Sequence, residues 1–147
     1  MSHSKTVTFG PWVFMARRDS LVPISKFVIR AAETAGLDAR AIYQVQMVVE
    51  EACDNIIEHA YAGKTNGDIE CTCVVDQEGL TVILRDHGRA FNPQSVPEPD
   101  REASIEERET GGLGLYFINQ LMDEVHFSFS SDTGNVLTMV KRRKSSP

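Results

Sequence analysis

Two hairpins constrain the fold of this chain more than any other feature of its sequence. Strand-like runs near residues 68–76 and 80–86 are separated by the turn Asp76–Gly79. A second pair of runs, near residues 125–131 and 135–142, also flanks a short polar turn. Strands joined by so short a connection pair in antiparallel fashion. Such a sheet usually has one apolar face, which other elements must cover.

Amphipathic segments supply that cover. Their periodicity and end signals predict helices over about residues 20–36, 38–61 and 112–123. A further strand is predicted over residues 5–15, with a break at Gly10–Pro11. The sequence therefore predicts an α+β fold, a two-layer α/β sandwich. Its mixed, mostly antiparallel sheet is covered on one face by about three helices.

Length and composition exclude several classes of protein. A chain of 147 residues predicts one domain, residues 1–147. The net charge of −6 disfavours general nucleic-acid binding, which calls for a basic surface. We find neither an apolar run of about 18 residues for a membrane span nor the apolar core of a signal peptide, so we expect a cytoplasmic protein without a membrane partner. The three cysteines include no Cys-x-x-Cys pair and predict no disulfide framework.

The second predicted helix carries a carboxylate and an amide one turn apart. Glu51 and Asn55 are four residues apart, beside Val48 at the border of the apolar stripe. The asparagine carbonyl is a hard ligand suited to Mg²⁺, and the glutamate can deprotonate a nucleophile. The alternative is a helix edge with solvated polar residues, which this pair alone does not exclude.

A second carboxylate ends the strand Leu80–Asp86. Leu80, Val82, Leu84 and Asp86 share the apolar face, so Asp86 is predicted to point toward the core side. A buried carboxylate needs a hydrogen-bond donor, and a ligand amino group would serve. Gly88, two residues later, permits close approach of the backbone to a ligand.

A glycine-rich turn, Thr110–Leu115, opens the third predicted helix. Free backbone N–H groups at such a helix start can hold phosphate, although a flexible hinge explains the glycines equally well. The preceding segment, residues 87–111, shows no periodicity and holds three prolines and an acidic run. A loop of that length is either a lid over a ligand or a surface loop.

Together these features resemble a known family in order and spacing. The segments Glu51–Tyr61, Asp86–Pro93 and Gly111–Val125 are similar to the N, G1 and G2 boxes of the GHKL ATPases, which include histidine kinases, Hsp90, MutL and type II topoisomerases. Within that superfamily the chain resembles the anti-sigma-factor serine kinases (the RsbW-like family) over about residues 20–142.

The resemblance implies roles for individual residues. Glu51 would be the general base, Asn55 the Mg²⁺ ligand and Asp86 the acceptor of the adenine amino group. Residues 93–111 would form the ATP lid. The other implied ATP-binding residues are Gly88, Phe91, Gly111, Gly112, Leu113, Gly114 and Thr138.

The resemblance also implies a function. The chain would be an ATP- and Mg²⁺-dependent protein-serine kinase that acts as an anti-sigma regulatory factor. It would bind a sigma factor, phosphorylate a serine of an anti-sigma-factor antagonist protein, and form a homodimer. The alternatives are an ATP-binding regulator that sequesters a partner without kinase activity, a detached histidine-kinase-type catalytic domain, and an interaction module with an inactive pocket.

Overall fold

The computed structural model describes residues 6–62, 66–90 and 118–144 of the chain. Two α-helices and five strands make up most of this part. A 3₁₀ turn precedes the first helix, a π-helical turn follows the second, and residues 118–121 are helical. The elements in chain order are β1 (Val7–Met15), α1 (Leu21–Thr34), α2 (Ala39–Asn55), β2 (Asp68–Val75), β3 (Gly79–Asp86), β4 (Glu124–Ser130) and β5 (Gly134–Arg142).

The strands form one sheet in the order β1-β2-β3-β5-β4. Both predicted hairpins are present, β2 with β3 and β4 with β5. Every strand pairing in the described part of the chain is antiparallel, so the predicted fold class is confirmed, with no parallel pair in the described sheet. The predicted break at Gly10–Pro11 is a shift of register in β1 between Phe9 and Trp12.

One face of the sheet forms the core together with the helices. Helix α1 packs on β2 and β3, and α2 packs beside α1. Side chains on the central strands alternate between buried and half-buried, as one-sided cover requires. The buried sheet residues are Ile69, Cys71, Cys73, Val75, Leu80, Val82, Leu84, Leu137 and Met139.

The helix boundaries follow the predicted signals closely. Asp38 caps α2, where its Oδ1 accepts a hydrogen bond of 2.8 Å from the backbone N–H of Ala41. The α-helical hydrogen bonding ends at Asn55, and the predicted extension to residue 61 is a π-helical turn, Ile56–Ala60. Of the third predicted helix, residues 118–121 are helical, and its start at residue 112 lies outside the described residues.

None of the helices described here has the length and the apolar content that a membrane span requires.

The Asp38 cap provides a test of the fold. Replacing Asp38→Ala removes a side-chain acceptor for one of the first backbone N–H groups of α2, which we expect to lower the free energy of unfolding by about 1 kcal/mol. Urea denaturation followed by circular dichroism measures the loss. Asp132→Ala is the matched control, because Asp132 lies exposed in the β4–β5 turn. Equal stability of the two variants would contradict the capping role.

Candidate functional site

Asp86 lies at the end of β3 on the helix-covered face, as its place in the alternation predicts. Its relative exposure is 2%. Its Oδ1 accepts hydrogen bonds of 2.9 Å from the backbone N–H of Gly88 and from Nδ2 of Asn135. Burial raises the pKa of Asp86, while these two hydrogen bonds and nearby His87 act in the opposite direction. The protein therefore offsets only part of the energetic cost of burying this charge.

The second oxygen of that carboxylate, Oδ2, can still accept a hydrogen bond from a ligand. Among the described residues, Oδ2 of Asp86 accepts no hydrogen bond. Oδ2 is not among the fully buried oxygens without a partner in the described part of the chain, so it is accessible to a ligand, and a ligand N–H group could donate to it. The site is therefore suited to a ligand that presents a hydrogen-bond donor.

Gly88 brings the loop after β3 against the end of the helix that begins as α2. A Cβ at this position would lie 2.4 Å from the carbonyl oxygen of Ala60, so only glycine fits without a shift of backbone. The next residue, Arg89, donates from its backbone N–H to the same carbonyl at 2.8 Å. Its Nε also donates to the carbonyl of His59 at 2.6 Å. The structure thus gives Gly88 a packing role that the sequence analysis did not consider.

Tyr61 links the π-helical turn to the start of β2 and to the loop after β3. The backbone N–H of Tyr61 donates to the carbonyl of Ile56 at 3.0 Å, a bond spanning five residues. Its hydroxyl donates to the carbonyl of Asp68 at 2.7 Å and accepts from the backbone N–H of His87 at 2.9 Å. Turns of this kind are rare and often occur at functional sites. The apolar pattern gave no signal of this one.

Asn55 ends the α-helical part of α2 and is buried, with 4% of its surface exposed. Its Nδ2 donates to the backbone carbonyl of Glu51 at 2.8 Å. Among the described residues, its side-chain oxygen accepts no hydrogen bond, so an oxygen suited to a hard cation remains available. The alternative of a solvated helix edge does not fit this buried amide.

Glu51 differs from Asn55 because it is exposed on the surface of α2. Partial burial raises the pKa of its carboxyl group, and the neighbouring carboxylates of Asp54, Glu58 and Glu50 raise it further. A carboxylate with a raised pKa is a stronger base than an ordinary one. Glu51 is therefore both accessible and suited to accept a proton.

Thr138 is not brought into this group. It pairs with Ile83 across β3 and β5, three residues along from the pair Asp86 and Asn135, which is an odd number. Successive side chains point to opposite faces of a sheet, so Thr138 lies on the face away from Asp86. Asn135, which the sequence analysis missed, occupies the place next to Asp86. Only the register of β5 against β3 could have identified it.

The remaining predicted site residues lie outside the described residues. They comprise the residues assigned to the ATP lid, 93–111, together with Phe91, Gly111, Gly112, Leu113 and Gly114.

Comparison with known proteins agrees with this geometry. The model of the histidine kinase-like ATPase domain family matches residues 14–141, most of the chain. The chain belongs to that family. The match includes both helices of the described part and the strands that carry Asp86 and Asn135, so the predicted resemblance to the GHKL ATPases is confirmed.

Individual proteins are also similar to most of the chain. Serine-protein kinase RsbW of Bacillus licheniformis is 31% identical over 115 residues, which cover 75% of this chain and 70% of the relative. Serine-protein kinase RsbW of Listeria monocytogenes is 31% identical over 111 residues, which cover 73% and 71%.

The buried charge of Asp86 predicts a stability effect in this histidine kinase-like domain. Because burial raises the pKa above that of the unfolded chain, the native state binds more protons between the two values, and stability falls as pH rises through this window. Asp86→Asn keeps an oxygen for both donors and carries no charge. We expect a gain of about 0.5–2 kcal/mol at pH 7 without nucleotide.

Urea denaturation at several pH values measures this effect. The gain should shrink toward acid pH, where the carboxyl group of the wild-type protein is protonated. A variant that is less stable at pH 7, or a difference that does not change with pH, would show that the charge is not the cause.

Proposed function

We propose that this protein is an ATP-dependent protein-serine kinase that acts as an anti-sigma regulatory factor. The observation that carries the proposal is the buried carboxylate of Asp86, with one oxygen open to a ligand donor. Membership of the histidine kinase-like ATPase family supports ATP as that ligand. The similarity to two proteins named serine-protein kinase supports serine as the acceptor.

Asp86 would select the base of the nucleotide. Its open Oδ2 would accept a hydrogen bond from the exocyclic amino group of adenine. Gly88 holds the loop beside this oxygen against the helix end, so the base would meet a fixed backbone. Gly111, Gly112, Leu113 and Gly114 would hold the phosphates through backbone N–H groups, with residues 93–111 as the lid and Phe91 beside the base.

Asn55 would hold Mg²⁺ through its side-chain oxygen. The orientation of the amide fits this role, because its nitrogen is already committed to the carbonyl of Glu51. A magnesium ion there supplies charge neutralisation to the phosphates.

Glu51 would act as general base. The serine hydroxyl would attack the γ-phosphorus, Glu51 would take the hydroxyl proton, and the bond to the β-phosphate oxygen would break to release ADP. The raised pKa of Glu51 supports this role, because a better proton acceptor lowers the barrier for attack.

The partners follow from the same proposal. The acceptor serine would lie on an anti-sigma-factor antagonist protein, and the kinase would bind a sigma factor when that antagonist is phosphorylated.

A homodimer is the proposed assembly, and an apolar patch on β1 supports it. Strand β1 lies at the edge of the sheet, with one side unpaired in the described structure. On β1, Trp12 and Val13 are 60% and 61% exposed, and Met15 is also exposed. Exposed apolar edges of this kind favour association.

Titration calorimetry with ATP, with and without Mg²⁺, tests the nucleotide site. We expect magnesium-dependent binding that Asp86→Ala abolishes. The control Asp19→Ala, which removes an exposed carboxylate near α1, should retain it.

The general base is tested by a second variant. Glu51→Gln should bind ATP as the wild type does, yet transfer phosphate about 10²–10⁴-fold more slowly. Glu33→Gln, which changes an exposed carboxylate on α1, is the matched control. Wild-type protein that binds no ATP at millimolar concentration would overturn the proposal.

The transfer assay uses labelled ATP and a purified candidate antagonist. Acid-stable label on serine supports the kinase. Binding of ATP with no labelled product would instead favour a regulator without kinase activity. Acid-labile label on histidine would favour a detached histidine-kinase-type domain.

The dimer is tested by light scattering after size exclusion. The wild type should have twice the 16.4 kDa mass of one chain, and Val13→Lys should shift it toward the monomer, because a charge on the apolar edge opposes association. Thr81→Lys, on an inner strand, is the control. A monomeric wild type would contradict the assembly.

A further inference from the structure

Asn135 connects the carboxylate of Asp86 to the loop that follows it. Its side chain is 3% exposed, and the residue pairs with Asp86 across β3 and β5. One nitrogen, Nδ2, donates to Oδ1 of Asp86 at 2.9 Å and to the backbone carbonyl of Arg89 at 2.8 Å. A single amide therefore fixes both the charged group and the backbone three residues beyond it.

The strand that carries Asn135 approaches the end of β3 unusually closely. Gly134 has a φ of 76°, and a Cβ there would lie 2.2 Å from the backbone carbonyl of Asp86. Only a residue without a side chain permits this approach. The approach brings the next residue, Asn135, within hydrogen-bond reach of the carboxylate.

Two donors on one carboxylate oxygen have a chemical consequence. Oδ1 of Asp86 is occupied by Gly88 and Asn135, so the rotation of the carboxylate is restricted. The other oxygen, Oδ2, then presents lone pairs in a fixed direction. A fixed acceptor discriminates strongly between a ligand donor and a ligand acceptor, because a mismatch leaves both groups unpaired.

We propose that Asn135 is a positioning residue that sets the base preference of the nucleotide site. By holding Oδ1 of Asp86 and the carbonyl of Arg89, it keeps Oδ2 as an acceptor for an exocyclic amino group. The site then takes adenine and rejects guanine, which presents a carbonyl oxygen at the equivalent position. This inference rests on the proposed function, because it assumes that the ligand is a purine nucleotide.

The electrostatics of the site support the same role. The hydrogen bond from Asn135 lowers the pKa of Asp86 against the effect of burial. The backbone N–H of Gly88 also lowers this pKa, and the titratable groups that interact with the carboxylate are His87, on the loop, and Tyr61, from the helix end. Without Asn135, Asp86 should take up a proton at a higher pH, and a protonated Asp86 is a poorer acceptor.

Titrations of the full chain with ATP and with GTP, from pH 5 to pH 8, test the proposal. We expect Asn135→Ala to weaken ATP binding about ten-fold or more and to bring the affinities for ATP and GTP closer together. The pH below which the protein loses affinity for ATP should also be higher in this variant. Asn135→Thr keeps a side-chain donor and should recover part of each effect. Asp132→Ala, at an exposed position of the same turn, should behave as the wild type.

The outcomes separate this inference from the proposed function. A wild type that binds neither nucleotide would defeat both. Wild-type ATP binding combined with an unchanged ATP-to-GTP ratio and an unchanged pH profile in Asn135→Ala would overturn the inference alone. A loss of affinity that is uniform over both nucleotides and all pH values would assign Asn135 a structural role only. If Asn135→Ala does not fold, Asn135→Thr gives the same three readouts.

Discussion

A charged group buried at the junction of sheet and helices shapes the architecture around it. Asp86 ends a central strand on the covered face, where water cannot solvate it fully, and the chain compensates with a backbone N–H and a side-chain amide. Those donors require that the loop after β3 turns back and that β5 approaches closely. The compensation is incomplete, and the oxygen that remains without a donor among the described residues, Oδ2, is the group on which the proposed nucleotide recognition depends.

Hydrogen bonds also hold the helix end beside this carboxylate. Its carbonyls at His59 and Ala60 accept from Arg89, and Tyr61 ties the π-helical turn to the starts and ends of neighbouring strands. Asn55 and Glu51 lie about one and two turns earlier along the same helical segment. Hydrogen bonds from Arg89 therefore join the helical segment that carries Glu51 and Asn55 to the loop that follows Asp86.

Local patterns predicted the elements well because each depends on neighbouring residues. The Asp38 cap, the two hairpins and the inward direction of Asp86 all follow from spacing along the chain. Asn135 escaped prediction because its place beside Asp86 depends on the register between β3 and β5, which also places Thr138 on the opposite face. One residue of slip exchanges the faces of a strand. The π-helical turn escaped as well, since apolar periodicity does not distinguish it from the α-helix that it continues.

The single tryptophan has a consequence for how the molecule can be observed. Trp12 lies on the edge strand, stacked on Phe27 with ring centroids 5.4 Å apart, and two strands separate it from β5. Its emission depends on solvent at the edge of the sheet. Intrinsic tryptophan fluorescence therefore reports events on that edge. An added fluorophore, or a tryptophan introduced in place of the exposed Phe129 opposite Asn135, would follow the other end of the sheet.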